Sequence, residues 1–360
     1  MISFCIIGKN EEAILEQCLL ALVPYGYEIV FVDTGSTDRT KEIAHNYTDK
    51  VYDFVWQDDF SAARNFSISK ANSEFILPID CDEIVVEFDK VKTEQLIKLY
   101  PDKVGRLLIV DDFSRKVDSN SEISDNYASN VRVSRLFSKN KFHYEGSIHE
   151  QVVPIDGGDI STYNIPLRML HSGYNGNEEV LRKKAERNRN LLLIEYEKSP
   201  DDPYILYQLG QTYFMEHDYE HALVYYDKML AIDVNPRLEY VQNGVEAYGY
   251  SLVETKQYEK ALGLIGVYDT FAVTADFIFL MGLIYMYNGM LEEAVGEFLK
   301  ATKCKEVKVQ GTDSFRAFYN IGVIYECVGM IDEACEYYKK AGDYVRARQR
   351  LSELKKESAE

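Results

Sequence analysis

The sequence predicts an α/β domain with a Rossmann-like, mostly parallel sheet, followed by an all-α domain built from repeats. Over residues 1–110, short apolar runs alternate with segments whose apolar residues recur at helical spacing. Beyond residue 203, a Gly-to-Ala distance of twelve recurs at Gly210/Ala222, Gly282/Ala294 and Gly322/Ala334, the mark of a repeated helical unit. A length of 360 residues suits two domains.

Taken in order, Ile2–Ile7 reads as a buried strand. Asn10 is placed to cap a helix whose apolar face is Ile14, Leu15, Cys18, Leu19 and Leu22. Glu28–Val32 is a second strand ending at Asp33, and the polar turn Thr34–Thr40 leads into a short helix with Ile43 and Ala44 inward. The strand Val51–Val55, the helix Ser61–Ala71 and the strand Glu74–Ile79 complete a β-α-β-α-β-α-β series. Short connections of this kind imply right-handed crossovers in one doubly wound sheet. Ligands of such sheets sit outside the carboxyl ends of the strands, where Asn10, Asp33, Trp56–Asp59 and Asp80/Asp82 fall.

From Val104 to Met169 the pattern is more strand-like, with Gly105–Val110, Val131–Phe137 and Gln151–Pro154 as strands. A basic helix follows over Glu178–Tyr196, whose Arg182, Lys183, Lys184, Arg187 and Arg189 read most simply as a solvated face, with a phosphate role as the alternative. Eighteen of the 28 tyrosines lie beyond residue 200, inside the repeats. There Gly210, Gly282 and Gly322 are each followed by an aromatic three residues on, and a weaker copy has Gly249, Leu252, Ala261 and Ile265. These residues read as packing positions.

Composition excludes several function classes. A net charge of −19, split almost evenly between the two halves, argues against a nucleic-acid surface or an anionic-membrane anchor. The six cysteines show no Cys-x-x-Cys spacing and read as reduced thiols of a cytoplasmic protein. The N-terminus lacks the basic flank of a signal peptide, and the longest apolar stretch, around Phe277–Tyr287, is well short of a membrane span.

The chemistry centres on Glu74-Phe-Ile-Leu-Pro-Ile-Asp80-Cys81-Asp82-Glu83. An apolar run ends in two aspartates flanking one residue, an arrangement that can converge on a hard divalent cation. Upstream lie Gly8–Glu12, Phe31–Thr40 and Trp56–Asn65; downstream lie Tyr144-Glu-Gly-Ser-Ile-His-Glu150 and Leu170-His-Ser-Gly-Tyr174. These six clusters, in this order, resemble a family 2 glycosyltransferase of GT-A fold over residues 1–175. Residues 203–342 resemble tetratricopeptide repeats. The pairing is similar to bacterial enzymes that glycosylate peptides or proteins, including bacteriocin S-glycosyltransferases and flagellin-modifying enzymes. The expected organisation is therefore a transferase domain at 1–175, a linker helix at 176–202 and a repeat domain at 203–360.

The resemblance implies a role for each matching residue. Lys9 and Glu12 would border the nucleotide, although Glu11 and Glu12 equally suit the positive end of a helix. Asp33 would accept hydrogen bonds from uracil or ribose. Arg64 would face the sugar diphosphate, with an ion pair to Asp58 or Asp59 as the alternative. Asp80 would bind ribose or metal, and Asp82 would be the principal ligand of Mn²⁺ or Mg²⁺, with His171 completing the site. Glu150 would be the base that deprotonates the acceptor, with His149 and Glu145 behind it. His149 and His171 also have structural readings. Trp56 reads as a packing residue, and the Asp111–Asn130 region as the place where the sugar is selected.

The expected activity is transfer of a hexose or N-acetylhexosamine from a UDP-sugar to a peptide or protein held, or presented through a homodimer, by the repeats. Two other readings stand beside it: an acceptor that is a surface glycan or lipid-linked precursor, and a catalytically silent repeat scaffold.

Overall fold

The computed structural model describes residues 2–111, 129–171 and 178–357. Most of the Asp111–Asn130 region lies outside the described residues, as does the Ser172-Gly-Tyr174 part of the His171 cluster. The chain divides into two compact units, the first running to Leu191 and the second from Leu192 onward.

The first unit opens with strand β1 (Ile2–Gly8), buried on both faces as a central parallel strand must be. Ile2, Phe4 and Ile6 enter one core layer and Cys5 the other, in the alternation that strand geometry imposes. Helix α1 (Leu15–Leu22) buries Leu15, Cys18, Leu19 and Leu22. There follow β2 (Glu28–Asp33), α2 (Thr40–His45), β3 (Val51–Asp53), α3 (Phe60–Lys70) and β4 (Phe75–Asp80). Asp59 caps α3 by accepting from the Ala62 N–H at 2.9 Å. Strands β3, β2, β1 and β4 lie side by side and parallel.

The remainder extends this sheet in mixed fashion. It comprises β5 (Glu83–Phe88), α4 (Lys90–Leu99), β6 (Val104–Asp111), β7 (Ser129–Ser138), β8 (Phe142–Glu145), β9 (Gln151–Pro154), β10 (Thr162–His171) and the first part of α5 (Glu178–Lys198). The eight-stranded order is β3-β2-β1-β4-β7-β6-β10-β5, and β8 and β9 form a separate hairpin. Sequence patterning does not predict β5, α4, β8 or β10. Of these, β10 is parallel to β6 and antiparallel to β5, so that His171 lies opposite Glu83.

The second unit is helical: α6 (Pro203–Met215), α7 (Tyr219–Leu230), α8 (Glu239–Glu254), α9 (Tyr258–Ala261), α10 (Tyr268–Phe271), α11 (Ala275–Tyr287), α12 (Leu291–Ala301), α13 (Phe315–Cys327), α14 (Ile331–Lys340) and α15 (Val345–Glu357). The repeated glycines sit where aromatic rings press on the preceding helix. A Cβ at Gly210 would lie 2.5 Å from the Tyr226 ring, at Gly282 2.7 Å from Phe298 and at Gly322 2.6 Å from Tyr338. The extra length between Gly282 and Gly322 is a turn tied down by buried Asp276, whose carboxylate accepts from the Lys308 and Val309 N–H groups at 2.8 and 2.9 Å.

Candidate active site

Two loops at the carboxyl ends of β1 and β2 lock together through reciprocal hydrogen bonds. The N–H groups of Asn10, Glu11 and Glu12 donate to the side chains of Ser36, Thr40 and Asp38. In return, the Asn10 amide oxygen accepts from the Thr37 N–H at 2.8 Å, and Glu12 accepts from the Arg39 N–H at 3.0 Å. Asn10 thus braces a loop and does not cap α1, whose N-terminal flank is Ile14 with no side-chain cap. Asn10 can do this because asparagine tolerates its left-handed backbone, φ 58°. Asp33 is buried; its Oδ2 accepts from the Gly35 and Ser36 N–H groups, while its Oδ1 has no partner among the described residues.

The centre of the site is Arg64, on α3 and 7% exposed. Its Nη2 donates to Asp80 Oδ1 at 2.8 Å and its Nε pairs with Glu150, while the buried Nη1 has no partner among the described residues. The Tyr144 ring lies 5.6 Å from the guanidinium carbon. The neighbouring Asn65 fixes this register by exchanging two hydrogen bonds with the Tyr144 backbone, at 2.8 and 3.0 Å. The Phe60 N–H donates to the Ser147 carbonyl at 2.8 Å, so α3 carries the whole Tyr144–Glu150 cluster against the sheet. The competing partners Asp58 and Asp59 do not take Arg64: Asp58 accepts from the Trp56 indole at 2.8 Å and Asp59 caps α3.

Arg135, on β7, completes the charge balance. Its Nη2 lies 3.0 Å from Asp80 Oδ2 and 3.2 Å from Glu83 Oε1. Burial would lift the Asp80 carboxyl, but the Arg64 and Arg135 charges outweigh it and hold the group well below the usual carboxylate range. Burial dominates at Glu83, which is raised to about 7 despite Arg135. Sequence reasoning assigns Arg135 no role; its strand, Val131–Phe137, also holds Arg132 and Ser134, so nothing in the pattern singles it out.

Asp82 Oδ2 lies 3.3 Å from His171 Nε2, at the meeting of the β4–β5 turn and the end of β10. An aspartate oxygen beside an imidazole nitrogen suits a divalent cation whose other positions are filled by phosphate oxygens. Both oxygens of Asp80 face arginines, and no group of three or more His, Cys, Asp or Glu among the described residues forms a complete cage. Asp82 and His171 therefore supply two donors here and not a full ligand set. Cys81 points into the core, its Sγ 3.4 Å from the Ile7 carbonyl. A Cβ at Gly8 would come within 2.8 Å of that sulfur.

Arg64, Asp80, Asp82 and His171 line one cavity of about 470 Å³, together with Gly8, Lys9, Asn10, Trp56, Phe60 and Arg187. This is within the range of small-ligand sites. Trp56 packs edge-on against Phe60, as expected of a packing residue, yet also borders the cavity. Arg187, read in sequence as part of a solvated face, stands over the Phe60 ring at 5.2 Å and joins the lining. Glu12, Asp33, His149 and Glu150 are near but not part of that lining. His149 has left-handed backbone, φ 49°, and Glu145 is exposed and paired with His143 at 2.9 Å.

Residues 3–90 match the family model of glycosyl transferase family 2, and residues 315–341 match that of a tetratricopeptide repeat. The chain is 30% identical over 229 residues to the SPbeta prophage-derived glycosyltransferase SunS of Bacillus subtilis (strain 168), covering 62% of this chain and 52% of that one. It is 29% identical over 231 residues to a TPR repeat-containing protein of Synechococcus elongatus, covering 61% and 54%. The chain thus spans about half the length of these curated relatives. Among solved structures, MamA aligns with a TM-score of 0.39 at 20% identity, covering 50% of this chain and 97% of that chain. The chain carries a family 2 glycosyltransferase domain followed by tetratricopeptide repeats.

Proposed function

We propose that this chain is a metal-dependent, inverting glycosyltransferase that moves a hexose or N-acetylhexosamine from a UDP-sugar to a peptide or protein side chain. The observation that carries the reading is one cavity lined by Arg64, Asp80, Asp82 and His171, in which a buried arginine N–H without a partner among the described residues stands near an oxygen and nitrogen donor pair. A diphosphate supplies the acceptor that Arg64 lacks. The Asp33 oxygen without a partner among the described residues would accept from a uracil or ribose donor group, and Lys9 borders the cavity.

Asp82 and His171 would hold a divalent cation together with the diphosphate, with Asp80 behind them ordering the two arginines. When bound, the cation offsets the negative charge of the departing diphosphate. In the transfer, an acceptor O, S or N atom bonds to the anomeric carbon as the bond from that carbon to the diphosphate oxygen breaks. The electron pair leaves with UDP and the acceptor proton passes to Glu150, with His149 as its neighbour. The repeats support a polypeptide acceptor, because stacked helical units present an extended binding surface.

The test is a mixture of purified protein, Mn²⁺, a panel of nucleotide sugars and candidate peptide acceptors, followed by mass spectrometry. Addition of one hexose or N-acetylhexosamine mass, lost in Asp82→Ala, is the expected result. Failure of the wild-type protein either to bind or to hydrolyse any donor would leave the scaffold reading in its place.

A further inference from the structure

The proposed base is neutralised in this structure. Glu150 is paired with Arg64, and it is Arg64, not Glu150, that lines the cavity. The Glu150 carboxylate is thus occupied by a charge-assisted contact with the guanidinium instead of facing an acceptor in the cavity. Arg64 also keeps its buried Nη1 without a partner among the described residues. It is therefore committed to two carboxylates and still one acceptor short.

We infer that the donor diphosphate and Glu150 compete for Arg64, so that donor binding releases the base. This rests on the glycosyltransferase reading above. In this structure Arg64 holds Glu150; when a diphosphate enters, the guanidinium turns its donors to phosphate and Glu150 becomes free to accept a proton. Arg135 is the positioning residue that permits the exchange. It already holds the second oxygen of Asp80 at 3.0 Å and the buried Glu83 at 3.2 Å, so Asp80 keeps a cationic partner when Arg64 moves. Deprotonation by Glu150 then waits on the donor.

Removing the charge of the base should then strengthen donor binding, the reverse of what loss of a binding residue does. UDP with Mn²⁺ is titrated into wild type, Glu150→Asp and Glu150→Gln, following the fluorescence of Trp56, the only tryptophan, which borders the cavity. Glu150→Gln is expected to bind UDP about tenfold more tightly than wild type, with the charge-retaining Glu150→Asp in between, while sugar transfer by Glu150→Gln is lost. Adding Arg135→Met to Glu150→Gln is expected to erase the gain, since Asp80 then retains Arg64. Equal or weaker UDP binding by both Glu150 variants, with melting curves showing them folded, overturns the inference. A gain that survives Arg135→Met overturns the role given to Arg135. Absence of UDP binding in all of them, wild type included, removes the donor reading itself and the inference with it.

Discussion

Asp82 and His171 meet at 3.3 Å although one closes the turn after β4 and the other ends β10. The contact follows from register: His171 lies opposite Glu83, the residue next to Asp82. If this pair donates to the cation, Asp82→Asn and His171→Ala should each weaken Mn²⁺-supported UDP binding by roughly 10–100-fold. Binding measured without metal should change little. Calorimetric titration checks this, and an unaltered Mn²⁺ dependence in both variants refutes the pair as donors.

Arg135→Met removes the cation that pairs with Glu83 among the described residues and one of two that pair with Asp80. Breaking a buried ion pair from one side costs about 3–5 kcal/mol, because the remaining charge is stranded. Scanning calorimetry of the full chain should show the transition of the first unit lowered by roughly 10 °C. A drop of only a degree or two would mean that solvent reaches the network.

Glu83 gives the site a pH dependence of stability. Its folded value, about 7, lies above its ordinary 4.5, so the fold favours the protonated acid. Its stabilising contribution is complete below pH 4.5 and declines as pH rises towards 7. Asp80 acts oppositely: its lowered value contributes stability above its ordinary 3.8 that is lost as pH falls further. Urea midpoints of wild type should therefore fall between pH 4.5 and 7 more steeply than those of Glu83→Gln. Parallel curves would contradict the assignment.

The repeat glycines allow a matched comparison. Gly322→Ala places a Cβ 2.6 Å from the ring of Tyr338, which is 1% exposed and has nowhere to move. Overpacking of this kind costs about 1–3 kcal/mol, more than the ~1 kcal/mol that alanine gains over glycine in a helix. Gly296, also helical, has open space where a Cβ would stand, with nothing within 4 Å. Gly296→Ala should raise the melting temperature while Gly322→Ala lowers it, as thermal unfolding followed by circular dichroism will show.

Much of this is legible along the chain. The first four strands and the helices between them follow from period-two and period-3.6 patterns that act over a few residues, and most of their boundaries lie within one or two residues of expectation. The helix pairs beyond Pro203 are legible because each glycine and its aromatic partner recur at fixed spacing. Strands β5 and β10 are not, because β5 mixes charged with apolar residues at a sheet edge and β10 alternates too weakly to mark its bounds. Arg187 is exposed, as a solvated face requires, but helical periodicity does not say that this face also borders the cavity.

By itself, the sequence determined the two kinds of architecture, the loops at the strand ends and the identity of Arg64, Asp80, Asp82, Glu150 and His171 as the residues to watch. Local sterics and hydrophobic period carry the architecture, and neither depends on partners far along the chain; the residues to watch come from the resemblance of their motifs to family 2 glycosyltransferases. Which of those charges face each other was decided only by the tertiary structure. Insertion of β7 beside β4 brought Arg135 to Asp80, docking of the Tyr144–Glu150 cluster on α3 gave Arg64 to Glu150, and the β5–β10 register put His171 beside Asp82. Electrostatic pairing falls off within a few ångströms in space and is indifferent to distance in sequence, so only the folded sheet could settle it.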